Sequence, residues 1–190
     1  YMTVKKRWTV VEKDYLSDDL KVKATSVWAF KDVNSERGTE QFVDLGFDKE
    51  VFPRPKPVGT IYRSITLATK ADDIILDFFS GSATTAHAVM LANADDGGHR
   101  KFIMVQIPEK IPETKKAYSE GYERISQIGI KRIIEAGKRI QRENTGKKID
   151  TGVKIFKVSN SNIKWNSYIF KTDEQITNQT LSYTPDLIDF

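Results

Sequence analysis

The chain has 190 residues, 30 Lys and Arg against 26 Asp and Glu, a formal net charge of +4, 39% hydrophobic residues and no cysteine. That is enough chain for one domain with a core, or for one domain plus appendages, with the composition of an ordinary globular protein. It excludes disulfides and Cys-based zinc sites, and no apolar run approaches the roughly 20 residues of a membrane span. The charge surplus is too small to establish nucleic-acid binding. The start, residues 1–11, is too basic and polar for a signal peptide, and together these features suit a cytoplasmic protein. His87 and His99 are the sole imidazoles and nothing around them has metal-ligand spacing, so no metal site is expected. Tyr1 stands ahead of Met2, which suggests a piece of a longer protein.

Residues 5–13 carry Trp8, Val10 and Val11 among charges, with an alternation that suits an edge strand. The apolar cluster Val27-Trp28-Ala29-Phe30 precedes Asp32 to Gly38, whose Asn34, Ser35 and Gly38 read as loop. Partly buried Trp on a small sheet accounts for the aromatics better than contact with nucleic acid. Three prolines between Phe52 and Pro57 force an extended path. Ile61, Ile65 and Ala68 then predict a helix over 58–69, capped by Gly59 or Thr60.

Ile74 to Leu76 predicts a buried strand that ends in Asp77 and runs on through Phe78 and Phe79 into the turn Ser80-Gly81-Ser82-Ala83. A helix over 84–93, with Ala86, Val89, Met90 and Asn93 on one face, is stopped by Asp95-Asp96-Gly97-Gly98. Residues 101–107 predict a second, parallel strand with Gln106 at its carboxyl end. The longest helix, over about 120–143, has the stripe Tyr122, Ile125, Gly129, Ile133, Ala136, Ile140. On its opposite face are Lys131, Arg132, Lys138, Arg139 and Arg142. That face is either a phosphate-binding surface or a solvated one. Residues 153–158 alternate in the manner of a third strand, and 159–190 read as loop with short elements.

The turn after Asp77 is where chemistry is expected, because ligands of open α/β sheets sit at the carboxyl ends of the strands. A triphosphate-binding loop needs Lys followed by Ser or Thr after its glycines, and a pyrophosphate-binding turn needs three spaced glycines; Gly81 stands alone. Asp77 would repel a phosphate and favours a ligand with a cationic end, such as an amino-acid ammonium. S-adenosylmethionine joins such an ammonium and a carboxylate to a nucleoside. Ser80, Gly81, Ser82, Thr84 and Thr85 offer amides and hydroxyls to its methionine end, and Gln106 is placed for the ribose. The plainer readings stand beside these. Asp77 could simply cap a local turn, Lys56 could be a surface lysine, and Gln106 and Glu109 could be solvated strand-end residues. His87 is expected to be packed or solvated rather than catalytic.

Phe52-Pro53-Arg54-Pro55-Lys56-Pro57 followed by Leu76 to Val89 resembles the cofactor-binding part of adenine-specific DNA methyltransferases of the permuted β group. Residues 101–109 and the segment 152–165, with Ser159-Asn160-Ser161-Asn162-Ile163-Lys164-Trp165, resemble the modification subunit of type III restriction-modification systems. The likeness covers residues 27–165. It implies a partial Rossmann-like S-adenosylmethionine-dependent methyltransferase fold of the α/β class, parallel strands with flanking helices. It also implies that Lys56 and Pro57 join the Asp77 turn in cradling the methionine part, with Lys56 near the carboxylate, and that Phe79 and Gln106 or Glu109 touch the cofactor. Ala83 stands where many members have glycine, which is tolerable if that residue is already helical.

Such enzymes hold a flipped-out adenine by an Asp-Pro-Pro-Tyr motif, and that motif does not occur here. In the permuted order it lies N-terminal to the cofactor motif. The resemblance therefore implies the C-terminal part of a site-specific adenine methyltransferase, with no catalytic residue of its own, unable to methylate DNA alone. Residues 1–50 would end the target-recognition or connecting region, 51–158 would bind cofactor, and 159–190 would be a C-terminal extension. Double-stranded DNA, a restriction subunit, a second modification subunit and the N-terminal catalytic part are the implied partners, in a bacterial cytoplasm. A reading from another class is a noncatalytic DNA- or partner-binding module that uses the basic helix over 120–143. An open sheet edge is expected where further strands would pair.

Overall fold

In the computed structural model, residues 24–158 and the backbone of residues 2–4 and 7–9 are described. The chain divides into two compact units, Tyr1–Val153 and Lys154–Phe190, and every helix and strand among the described residues belongs to the first. Strands β1 (Met2–Val4) and β2 (Arg7–Thr9) pair antiparallel with Thr3 opposite Trp8, so the strand expected within 5–13 occupies 7–9. Residues 10–13 of that expectation, and everything expected of 159–190, lie outside the described residues.

The cluster 27–30 forms no sheet. Trp28 is half-buried in irregular chain with Nε1 donating to the Thr25 carbonyl at 3.0 Å, and exposed Phe30 lies under the Arg63 guanidinium, 3.9 Å from its ring centroid. The segment read as loop is also not one. A 3-10 turn over Lys31–Val33 leads into helix α1 (Ser35–Val43), and Asn34 is its cap, accepting the Glu36 N–H at 3.3 Å. Gly38 sits inside α1 for a steric reason: a Cβ there would stand 1.9 Å from the Pro55 carbonyl oxygen. The glycine lets α1 lie directly on the proline segment.

Helix α2 (Val58–Ala68) begins straight after Pro57, and neither Gly59 nor Thr60 caps it. Gln41 of α1 does that work from outside, its Oε1 accepting the Val58 N–H at 2.9 Å. Strand β3 (Ile74–Asp77) stops at Asp77 rather than running on through Phe78 and Phe79. Helix α3 (Thr84–Asp96) outruns its expected end by one turn and closes on Gly97, left-handed at φ 72°. Strand β4 (Lys101–Met104) pairs parallel with β3, from Ile74 opposite Lys101 to Asp77 opposite Met104. It is shorter than the predicted 101–107 because a strand lasts only as long as its partner. Helix α4 (Lys116–Ser119) precedes α5 (Ile125–Glu143). The long helix starts five residues late because Gly121 is left-handed at φ 91° and Lys110 bridges Arg124; Gln127 then takes the Arg124 N–H at 2.8 Å. Residues 153–158 are irregular, with Ile155, Phe156 and Val158 exposed. Alternation there finds no ladder partner among the described residues.

Helix α3 is the centre of the packing. Ala86, Met90 and Ala94 meet Phe42, Leu45 and Phe47 from the α1 region and Ile128, Ile133, Ala136 and Ile140 of α5. Ala88, Val89 and Ala92 meet Val58 and Ile65 of α2, with Ile75 and Phe102 of the sheet against them. Buried on both sides, α3 carries apolar residues on more than one stripe, and its alanines let the neighbours approach closely. Among the described residues the sheet is covered on that side only: Ile74, Leu76, Ile103 and Val105, on its other face, are exposed. Among the described residues β3 and β4 pair only with each other, and no helix is long and apolar enough to cross a membrane.

The seat of α1 on Pro55 makes Gly38 a sensitive position. Gly38→Ala is expected to destabilise the fold by about 1–3 kcal/mol through overpacking, read as a lowered midpoint in thermal denaturation.

Candidate functional site

The parallel pairing of β3 and β4 brings the chain to a point where it must turn sharply. The Asp77 carbonyl accepts the Val105 N–H at 2.8 Å, and three residues later Ser80 N–H donates back to the Val105 carbonyl at 3.2 Å. Between them Asp77 is half-buried with both carboxylate oxygens engaged. Oδ1 accepts the Phe79 N–H at 3.0 Å and Oδ2 accepts the Thr85 hydroxyl at 2.6 Å. Each carboxylate oxygen has two lone-pair sites, so the acid that shapes the turn keeps acceptor capacity for a donor from outside.

Gln106 is not a free strand-end side chain. Its Oε1 accepts the Gly81 N–H at 2.7 Å and its Nε2 donates to the Ile107 carbonyl at 3.2 Å, so it braces the turn. Gly81 is left-handed at φ 51°, and Ala83 N–H closes the turn on the Ser80 carbonyl at 2.6 Å. The condition under which a methyl group is tolerable at Ala83, that the residue be already helical, is not met. Ala83 is the N-cap of α3 in the left-handed region, φ 60° and ψ 37°, buried against α5. A Cβ in that conformation costs roughly 1–2 kcal/mol. On α5, a Cβ at Gly129 would stand 3.1 Å from the Gly81 carbonyl oxygen, so this glycine is what lets the helix reach the turn.

Ser82 and Thr84, whose hydroxyls were expected to face a ligand, are buried and turn them inward. The Arg132 guanidinium of α5 donates through Nη1 to Ser82 Oγ at 2.9 Å and to Thr84 Oγ1 at 2.7 Å. Thr84 Oγ1 in turn donates to the Lys56 carbonyl at 3.3 Å, which ties the proline segment to the turn. Arg132 itself is 0% exposed, the largest fully buried side chain among the described residues, so its expected place on a solvated basic face is corrected. It lies in register with Ile128 and Ala136, four residues away on either side, so the stripe continues through it. Its position was visible in the spacing; its chemistry hid it. Among the described residues Nε and Nη2 have no hydrogen-bond partner and no carboxylate pairs with the guanidinium. Burial pulls it down to about 10, which leaves it charged at neutral pH.

The rest of that basic face is largely matched by acids. Lys131 and Lys138 both reach Glu135, at 2.9 and 3.0 Å, and Arg139 reaches Glu143 at 2.7 Å. The Lys131 and then the Lys138 hydrogen bond hold the Glu135 carboxyl below its usual range. Of the other predicted residues, Ser80 is half-buried, Phe79 is 83% exposed at the tip of the turn, and Pro57 is buried. Exposed Lys56 borders a surface groove of about 370 Å³ with Ser35, Glu36, Thr39 and Arg54. Glu109 is exposed, and its backbone rather than its side chain is engaged, the carbonyl accepting the Ile125 N–H at 3.1 Å. The structure thus brings Asp77, Ser80, Gly81, Ser82, Thr84, Thr85, Gln106 and the Lys56 backbone into one linked turn. Phe79 joins it through its N–H to Asp77, with its ring exposed, and no hydrogen bond among the described residues ties the Glu109 side chain to it.

The sequence pattern of the N6/N4 DNA methylase family matches residues 1–117, well over half of the chain. The chain belongs to that DNA methylase family. Within the methylases it is 38% identical over 133 residues to the Mod subunit of the type III restriction-modification enzyme StyLTI of Salmonella typhimurium, which covers 70% of this chain and 20% of that protein. It is 41% identical over 117 residues to the EcoPI Mod subunit of Escherichia phage P1, covering 62% and 18%. It is 38% identical over 128 residues to the type II methyltransferase M.KpnI of Klebsiella pneumoniae, covering 67% and 30%. The methylase chain therefore spans less than a third of the length of each of these relatives. The Asp77 turn falls inside the family match, whereas Arg132 lies beyond it.

His87, one turn into α3, is buried with Nδ1 unpartnered. Burial, then the Arg132 charge and then Arg139, pull its imidazole down to about 3, so it is neutral at pH 7. The unfolded chain binds a proton near pH 6.5 that the folded chain refuses. Stability is therefore fully present above that value and falls as the pH drops towards 3, by about 1.4 kcal/mol per pH unit. His87→Gln is expected to flatten this part of a stability–pH curve between pH 6 and 4. An equally steep curve in the variant would assign the loss to other groups. For the strained cap, Ala83→Gly is expected to raise stability by roughly 1 kcal/mol in denaturant titration, since glycine adopts this conformation without a Cβ clash.

Proposed function

We propose that the turn between β3 and α3 binds S-adenosylmethionine, and that the chain is the donor-binding part of a methyltransferase acting on the exocyclic amine of adenine in duplex DNA. The observation that carries the reading is Asp77: a half-buried carboxylate at the carboxyl end of a parallel strand, beside a single left-handed glycine. The residues present fit the donor's methionine end. Asp77 has acceptor sites to spare for an ammonium, Ser80 and Gly81 beside it are half-buried rather than enclosed, and Lys56 is held to the same turn through its carbonyl. When bound, S-adenosylmethionine supplies an electrophilic methyl group. The chain's residues bind and orient it: Asp77 at the ammonium, the Ser80 hydroxyl and Lys56-Pro57 around the methionine, Gly81 shaping the turn, Thr85 holding Asp77, and Ser82 and Thr84 fixing the turn from behind. Phe79, exposed on this turn, and Glu109, exposed three residues beyond Gln106, are assigned to the nucleoside end, with Gln106 bracing Gly81.

Residues 51–158 form this cofactor-binding part in the proposal, with 1–50 leading into it and 159–190 following it. The adenine is held by residues outside this chain, in keeping with the absence of an Asp-Pro-Pro-Tyr motif and with Mod-subunit relatives of which the match covers a fifth or less. Likeness to Mod subunits supports a parent that modifies DNA in a type III system alongside a restriction subunit, with a pair of modification subunits as its working form. The alternative, a DNA-binding module built on the basic helix, is disfavoured by the pairing of Lys131, Lys138 and Arg139 with Glu135 and Glu143.

The two readings separate by calorimetric titration of the chain with S-adenosylmethionine and, independently, with duplex DNA at several salt concentrations. Cofactor binding is expected to weaken tenfold or more in Asp77→Ala, the loss typical of a hydrogen bond to a charged group. Undiminished binding by a folded Asp77→Ala protein would remove the site from this turn. Tight, salt-sensitive DNA binding without cofactor binding would favour the module.

A further inference from the structure

Two successive residues at the start of α3 hold opposite charges. Thr85 Oγ1 donates to the Asp77 carboxylate at 2.6 Å, and Thr84 Oγ1 accepts from the Arg132 guanidinium at 2.7 Å. The first turn of one helix is thus the contact point of a half-buried anion and a fully buried cation that do not pair with each other. A buried charge without a counter-ion is unfavourable unless something compensates it. Two hydroxyls and the Phe42 ring, 5.7 Å from the guanidinium carbon, do so here only in part, since Nε and Nη2 remain unpartnered. A ligand anion brought to the outer side of the turn would complete the compensation.

We propose that Arg132 is the positioning residue for the carboxylate end of the zwitterionic ligand, a role that rests on the S-adenosylmethionine reading of the turn. It acts in two linked ways. Its bonds to Ser82 and Thr84, extended by the Thr84 hydroxyl to the Lys56 carbonyl, fix the Lys56 segment against the turn. Its uncompensated charge makes the 82–84 side of the turn electropositive, opposite in sign to the Asp77 side. The ligand's ammonium and carboxylate then meet fields of matching sign, and the site discriminates for a zwitterion over a neutral nucleoside. Arg132 touches no ligand atom; Ser82, Thr84 and the turn's amides stand between.

The test measures two ligands on the whole chain. S-adenosylhomocysteine carries the amino-acid end, and 5′-methylthioadenosine has the same nucleoside and sulfur without it. Arg132→Met fills the space without charge, Arg132→Gln keeps donors without charge, and Arg132→Lys keeps charge. In both Met and Gln variants, affinity for S-adenosylhomocysteine is expected to fall roughly tenfold or more, from the loss of a unit charge acting at short range in a protein interior. Affinity for 5′-methylthioadenosine is expected to stay within about twofold, and the Lys variant to recover most of the loss. Thermal denaturation of each variant reports whether the fold is retained. Equal losses for both ligands, no loss for either, or failure of Lys to recover what Met and Gln lose would overturn the proposal. If Asp77→Ala weakens S-adenosylhomocysteine while the Arg132 variants leave it unchanged, the cofactor reading stands and this one falls. A wild-type chain that binds neither ligand overturns both.

Discussion

A whole positive charge sits in the interior of this protein, and among the described residues only hydroxyls and an aromatic ring answer it. Arg132 is the interaction on which the rest of the described structure depends. Its guanidinium can reach Ser82 and Thr84 only if α5 lies directly on the turn, and glycine at position 129 gives that approach room, since a Cβ there would stand 3.1 Å from the Gly81 carbonyl oxygen. The turn can present Ser82 and Thr84 inward only because Gly81 and Ala83 adopt left-handed backbone, the second at a cost. Thr84 then carries the constraint outward to the Lys56 carbonyl, and Gly38 lets α1 pack on the neighbouring Pro55. Each close approach is made possible by a missing side chain and is held by a polar contact at its end.

The consequence for function is rigidity at the one place where it is useful. Helix α3 is buried on both flanks, against α1 and α5 on one side and α2 and the sheet on the other. Its N-terminus therefore cannot shift without disturbing both clusters. The carboxylate of Asp77 and the guanidinium of Arg132 are attached to that N-terminus through adjacent threonines. A ligand with charges of both signs, as proposed, would meet a site already arranged for it, with little ordering left to be done on binding. His87 belongs to the same buried helix, kept neutral by its surroundings, and its part is packing.

Much of the local structure was legible because it depends on neighbours in sequence. The helix over 58–69, the strand ending at Asp77, the helix after the turn and the parallel return strand follow from apolar spacing and from where glycine and proline fall. The errors were of one kind. Asn34, Ser35 and Gly38 read as loop because their usual signals are those of turns, yet Asn34 caps a helix and Gly38 is small because Pro55 is close. The α2 start looked for a cap in its own residues, while Gln41 supplies it from α1. Strand β4 ended early because β3 did.

The sequence by itself determined the chemistry offered at the turn: an acid at a strand end, one glycine, a run of small hydroxyl residues and a proline segment ahead of them. Those are properties of residue type and short spacing, and no packing is needed to read them. Which way the hydroxyls of Ser82 and Thr84 face, and what answers them, only the tertiary structure decided. Their partner lies 48 and 50 residues further along the chain, on a helix whose register, not its residue type, carries Arg132 into the interior. An arginine is expected in water because its charge is costly to bury. Here the turn's hydroxyls offset enough of that cost, and they could do so only after α3 and α5 had come together.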